Sequence, residues 1–218
     1  MSKVISIVSG KGGTGKSFFA SNLGALLAMS GKRVVLIDMD MGLRNLDIYL
    51  GLENRIVYNV MDVLSGVCGI TKALVRDKRF NSLYLMSAAP PKDDRDITPL
   101  HMEVLCDRLR EDFDYIIIDG SAGIGDGLDL AVSPADSVVI ITENEVASIR
   151  DADIVDRELI KLGKKDRCAI INKVKPDLMA MGTIITPTEA DATSQEIYER
   201  TMERLKNDYH VDEPERYT

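Results

Sequence analysis

Residues 10–17 read Gly10-Lys11-Gly12-Gly13-Thr14-Gly15-Lys16-Ser17, and no other run narrows the possible folds as far. Before it lies Val4-Ile5-Ser6-Ile7-Val8, rich in β-branched residues, which predicts a strand. After it, Phe18-Phe19-Ala20-Ser21-Asn22-Leu23 predicts a helix start. Strand, glycine loop and helix in that order form a phosphate-binding unit. Glycines take the positive-φ turns that aim successive N–H groups at one point. The helix N-terminus adds partial positive charge there. These residues predict a nucleoside triphosphate site, with Lys16 at the outer phosphates and the Ser17 hydroxyl on Mg²⁺.

Lys11 is an addition to this pattern, since such a loop needs only the lysine at its end. A second cation at the loop's second position is better placed for the phosphates of a facing subunit. Supplied in trans, it would stabilise charge on a transferred phosphoryl group, as an arginine finger does. A solvated surface lysine is the plainer alternative.

Composition sets outer limits. A chain of 218 residues, 45% hydrophobic and 28% charged, fits one globular domain spanning 1–218. No run is long and apolar enough to span a bilayer, and the Met-Ser-Lys-Val start lacks a signal peptide's apolar segment. Cys68, Cys106 and Cys168 form no CxxC pair, which argues against a disulfide framework or zinc site. His101 and His210 stand apart and read as structural or surface residues. A reducing cytoplasm is the expected compartment. The net charge of −8 disfavours a dedicated nucleic-acid binder, which needs a basic face.

Further apolar runs follow the first: 33–37, 82–86, 115–118, 137–141 and 168–171. They are short and nearly continuous, as strands covered on both faces should be. Helical stretches, such as 100–111 and 147–162, alternate with them. The prediction is a three-layer α/β fold, a mostly parallel sheet with helices on both faces. Ala89-Pro90-Pro91-Lys92-Asp93-Asp94 reads as a surface loop.

In such sheets a ligand sits beyond the carboxyl ends of the strands. Asp38 and Asp40 end the second run, Asp119 ends the 115–118 run, and Asn172 ends the 168–171 run. Four apolar residues followed by Asp119 form a Walker-B-like arrangement for Mg²⁺, although an Asp closing a strand often only caps a turn. Asp38 and Asp40, separated by Met39, are assigned to the metal shell and the attacking water respectively. The catalytic set is thus Lys11, Lys16 and Asp40, and the metal set is Ser17, Asp38 and Asp119.

The two-lysine loop, together with Asp38-Met39-Asp40-Met41-Gly42-Leu43-Arg44-Asn45-Leu46-Asp47, resembles the deviant-Walker-A ATPases. Gly51-Leu52-Glu53-Asn54-Arg55-Ile56-Val57-Tyr58 narrows the resemblance to the MinD septum-site-determining ATPases of bacterial cell division. Asp77-Lys78-Arg79-Phe80, Phe113 through Asp119 and Arg150-Asp151-Ala152-Asp153 fit the same family, and the likeness is dense from Met1 to about Pro176. The resemblance implies a slowly hydrolysing ATP/ADP switch with Mg²⁺, an ATP-dependent homodimer, and regulators of the MinC and MinE type. Residue by residue, Lys11 resembles the lysine that crosses the dimer interface, Asp40 the switch I aspartate that positions water, and Asp119 the Mg²⁺-linked switch II aspartate. Asn172 resembles the base-contacting asparagine, and Glu145 a glutamate that reaches the partner's nucleotide.

Three departures stand out. Phe18 occupies the place of a second Thr, removing a hydroxyl contact to the α-phosphate while keeping the backbone N–H for ATP. Switch II reads Asp119-Gly120-Ser121-Ala122-Gly123, without the family's proline, which predicts a loosened loop. The region after Pro176 is short. There, Gly182-Thr183-Ile184-Ile185-Thr186-Pro187 reads as a remnant of the last strand and base loop. Residues 195–206 predict an amphipathic helix whose Glu196, Glu199 and Glu203 offset Arg200, Arg204 and Lys206. Membrane binding is therefore expected to be weak or partner-dependent. The protein is expected in the cytoplasm or peripherally on the inner face of the cell membrane. A ParA-like partitioning ATPase and a non-hydrolysing scaffold are the alternatives. An iron–sulfur carrier would need the missing cysteine pair.

Overall fold

The computed structural model describes residues 2–40, 45–90 and 97–174. The six apolar runs, with a two-residue strand at Val75–Arg76 that the sequence reading did not include, form a sheet of seven strands: β1 (Lys3–Ser9), β2 (Val34–Asp38), β3 (Val75–Arg76), β4 (Leu83–Met86), β5 (Tyr115–Ala122), β6 (Ser137–Glu143) and β7 (Arg167–Asn172). Their order across the sheet is β3-β4-β2-β5-β1-β6-β7. All neighbours are parallel except β3, which pairs antiparallel with β4.

Alternate residues of each strand face opposite sides of the sheet, and both sides are apolar. One set (Ile5, Ile7, Val34, Leu36, Leu83, Leu85, Ile117) packs under α1 (Lys16–Met29) and α2 (Leu46–Leu50). The other (Val4, Val8, Val35, Ile37, Ile116, Ile118) packs under α3 (Val60–Leu64), α5 (Pro99–Leu109), α6 (Asp126–Val132) and α7 (Val146–Lys161), while α4 (Ile70–Ala73) places Ala73 in the same cluster. The predicted three-layer architecture is present. The short helices α2, α3 and α4 were not anticipated, because one turn carries too little hydrophobic periodicity to read.

Two boundaries differ from expectation. Strand β5 continues to Ala122 instead of stopping before Asp119. Asp119 is paired on both flanks, in register with Ile7 of β1 and Asp38 of β2, and beyond it Ala122 pairs with Ser9 of β1 across a register shift. Switch II therefore starts inside the sheet. Gly120 does not loosen it, as the sequence suggested. A side chain there would meet the Ala131 Cβ at 3.0 Å, the Ile7 carbonyl at 3.2 Å and Val8 at 3.3 Å, so this glycine permits close packing of α6 on β5. Second, Ala89 is fully buried instead of lying in a surface loop; 91–96 lie outside the described residues, as do Met41–Arg44 of switch I and every position assigned after Val174.

Candidate functional site

The C-terminal ends of β1, β2, β5 and β7 converge on one end of the sheet. The loop from Gly10 to Gly15 leaves β1 and feeds α1 at Lys16, with Gly15 at φ 98° as the residue before the helix. Gly10 lies directly against Asp151 of α7. Thr14, Lys16 and Ser17 are buried, and Lys16 forms no ion pair among the described residues. Nor does any backbone N–H from Lys11 to Phe18 make a hydrogen bond of normal geometry there. Buried or half-buried amides are normally paired, so a run of open ones, headed by a helix N-terminus, is a place for an anion.

Side chains hold the loop from outside. The Ser9 hydroxyl donates to the Lys11 carbonyl at 2.7 Å. Asn172 donates its Nδ2 to the Thr14 carbonyl at 2.8 Å, and Lys173 donates Nζ to the Gly13 carbonyl at 2.6 Å. Lys173 also pairs with Glu143 at 2.7 Å. Lys11 donates to Glu145 at 2.9 Å and stands 3.8 Å from Glu143; the Glu145 hydrogen bond holds its pKa above the ordinary value. In this single chain, Lys11 is thus turned to its own carboxylates. Asn172, read in sequence as a base contact, has its amide committed to the loop. Lys173 and Glu143 were missed. The adjacency of Lys173 to Asn172 was the available signal, but its contact with Gly13 spans 160 positions.

Asp38 and Asp119 lie side by side in register on β2 and β5. Asp38, 1% exposed, accepts from the Asp40 amide at 2.9 Å and the Leu46 amide at 3.4 Å. It ties both sides of the switch I segment to the sheet. Burial pushes its carboxyl up to about 6, against the pull of those two amides. Asp119 is 0% exposed, and neither carboxylate oxygen has a hydrogen-bond partner among the described residues. Burial, then the charge of Asp38, pushes it to about 7, while nearby Ser17 and Lys16 favour its charged form. Ser17 is close enough to act electrostatically without making a hydrogen bond of normal geometry. Asp40 is half-buried. Phe18 is 55% exposed, its ring meeting Tyr49 edge-on at 6.2 Å.

An orphaned buried carboxylate beside a serine in the first turn of α1 fits a small divalent cation. No group of three or more His, Cys, Asp or Glu side chains that could hold a metal occurs among the described residues. Such a cation would draw its remaining ligands from water and phosphate oxygens, which is how Mg²⁺ is usually held.

A mostly parallel sheet carrying a glycine loop with open amides after an inner strand, and buried carboxylates on β5 beside it and on β2 beyond, defines a P-loop nucleotide hydrolase of the two-lysine type. Residues 2–170 match the family model described as an AAA domain. The septum site-determining protein MinD of Synechocystis sp. is 46% identical over 188 residues, 85% of this chain and 70% of that protein. The MinC:MinD cell division complex of Aquifex aeolicus is 43% identical with a TM-score of 0.79, covering 86% of this chain and 75% of that one. MinD of Pyrococcus horikoshii, solved with Mg-ADP, is 27% identical with a TM-score of 0.75 over 90% of this chain and 77% of that one. The chain belongs to the MinD family of septum site-determining ATPases.

Proposed function

We propose that this chain is a Mg²⁺-dependent ATP switch in division-site placement. The carrying observation is Asp119, fully buried and unpartnered, beside a loop of open amides. In this reading the amides of Gly10 through Phe18 cradle the phosphates. Lys16 neutralises the outer ones, Ser17 and Asp119 hold Mg²⁺ directly or through water, and Asp38 fixes switch I. The metal supplies positive charge to the β- and γ-phosphate oxygens. Asp40 positions the attacking water; the water oxygen bonds to the γ-phosphorus as the bond to the β–γ bridging oxygen breaks, the water's protons pass to the phosphate product and to solvent, and ADP and phosphate leave. Lys11 exchanges Glu145 for the phosphates of a second copy, which makes the active form an ATP-dependent homodimer. The complex solved from Aquifex aeolicus supports a MinC-type partner, and the family likeness extends this to a MinE-type regulator. Among the described residues no helix is long and apolar enough to cross a membrane.

Equilibrium ATP binding and turnover, with Mg²⁺ and with EDTA, test this. Lys16→Ala is expected to abolish binding, and Asp40→Ala to preserve it while stopping turnover. Light scattering of Asp40→Ala should show dimers in ATP and monomers in ADP. Wild-type protein with no Mg²⁺-dependent turnover would overturn the reading, and full turnover in Asp40→Ala would remove that residue from it.

A further inference from the structure

We infer that Asn172 and Lys173, at the end of β7, are positioning residues that set the shape of the phosphate nest before any ligand arrives. The inference rests on the reading of the loop as a triphosphate site. In a trans peptide the carbonyl and the following N–H point in opposite directions. A donor that captures one carbonyl therefore aims the next amide the other way. Three carbonyls of the loop are captured: Lys11 by Ser9, Gly13 by Lys173 and Thr14 by Asn172. The amides so aimed are those of Gly12, Thr14 and Gly15, and none makes a hydrogen bond of normal geometry among the described residues, the Gly12-Gly13 turn leaving the Thr14 amide only loosely directed at the Lys11 carbonyl. Two of the three captures come from adjacent residues on one strand end.

Two independent observations support a built contact. Lys173 has φ 57°, the left-handed region that side chains other than glycine avoid, and it is the one such residue among those described. Strain of this kind persists where surrounding contacts hold it and gathers at functional sites; here the holders are Gly13 and Glu143. Asn172 also fills the space beside Gly15, where an added Cβ would collide with its amide nitrogen. A flexible glycine loop is thus braced from outside, and less order has to be imposed when phosphate binds.

Tripolyphosphate, which has no base or sugar, separates this role from direct base contact. Asn172 is neutral, so its removal takes no charge from the site. Asn172→Ala is expected to weaken tripolyphosphate and ATP alike by about tenfold, with the ATP-to-GTP preference unchanged. Lys173→Ala should behave similarly, and Lys173→Arg, which keeps a cationic donor, should recover most of the loss. The Lys173 pair decides the matter even if Asn172→Ala does not fold. An Asn172→Ala protein that loses ATP affinity and base preference but keeps full tripolyphosphate affinity would overturn the inference, as would Lys173→Ala with unchanged binding. Wild-type protein that binds neither ligand would instead overturn the nucleotide reading itself.

Discussion

The end of β2 and the middle of β5 carry the same residue, in register and both buried, yet the two carboxylates are differently supplied. Asp38 has two backbone amides; Asp119 has no hydrogen-bond partner among the described residues. A satisfied buried carboxylate is a structural joint, here pinning switch I. An unsatisfied one destabilises the empty protein until a cation arrives. Sequence position alone made both metal ligands. Their hydrogen bonds divide the labour, with Asp119 the stronger candidate for metal and Asp38 the anchor.

The largest effects should separate the two directly. Asp119→Asn is expected to lower turnover by about 10²–10³-fold while raising the stability of the metal-free protein, because a buried charge disappears. Asp38→Ala should instead destabilise by about 1–3 kcal/mol, since two amides lose their acceptor. Urea unfolding with and without Mg·ATP reads both, and a stability loss in Asp119→Asn would break the contrast.

pH offers a second handle. A carboxyl raised in the folded state holds its proton longer than in the unfolded chain, so stability falls as pH rises from the ordinary value towards the folded one. Raising Asp119 from 3.8 to about 7 corresponds to about 4 kcal/mol across that window. Asp38, raised to about 6, adds in the same direction. The metal-free thermal midpoint should therefore drop between pH 4 and 7, and Asp119→Asn should flatten the slope. Mg²⁺ affinity for the nucleotide-bound protein should rise over the same range.

Smaller effects test the surroundings. Gly120→Ala should cost about 1–3 kcal/mol by crowding Ala131 and β1, read as a lower urea midpoint. The least is expected of Phe18→Thr. Losing the Tyr49 edge contact costs about 0.5–1.5 kcal/mol, and the regained hydroxyl should strengthen ATP binding severalfold in titration calorimetry.

Most of the strand, loop and helix framework was legible because its signals are local. The phosphate loop and its flanks fall within twenty consecutive residues, and the β-branched runs mark covered strands. What escaped was set by pairing across the sheet. Gly120-Ser121-Ala122 reads as a turn in isolation, and only its pairing with β1 makes it strand. Gly120 looked like a source of freedom until Ala131 was found beside it. Lys173 and Glu143 are ordinary charged residues in sequence; their meaning comes from a loop placed far away along the chain.

The position of β1 also governs when the site can exist at all. Both neighbours of β1 come late: Lys3 pairs with Tyr115, and Ile5 with Ser137. During synthesis, at about 10 residues per second, the loop-bearing strand waits about 10 s for its first sheet partner. Until then it is an unpaired, largely apolar segment with four β-branched residues, Val4, Ile5, Ile7 and Val8, the kind of segment chaperones recognise. Joining it to the sheet closes loops of more than a hundred residues, which makes this step a natural bottleneck in folding. A nucleotide cannot assist before that step, because the carboxylate of Asp119 emerges on β5, the same strand that β1 awaits.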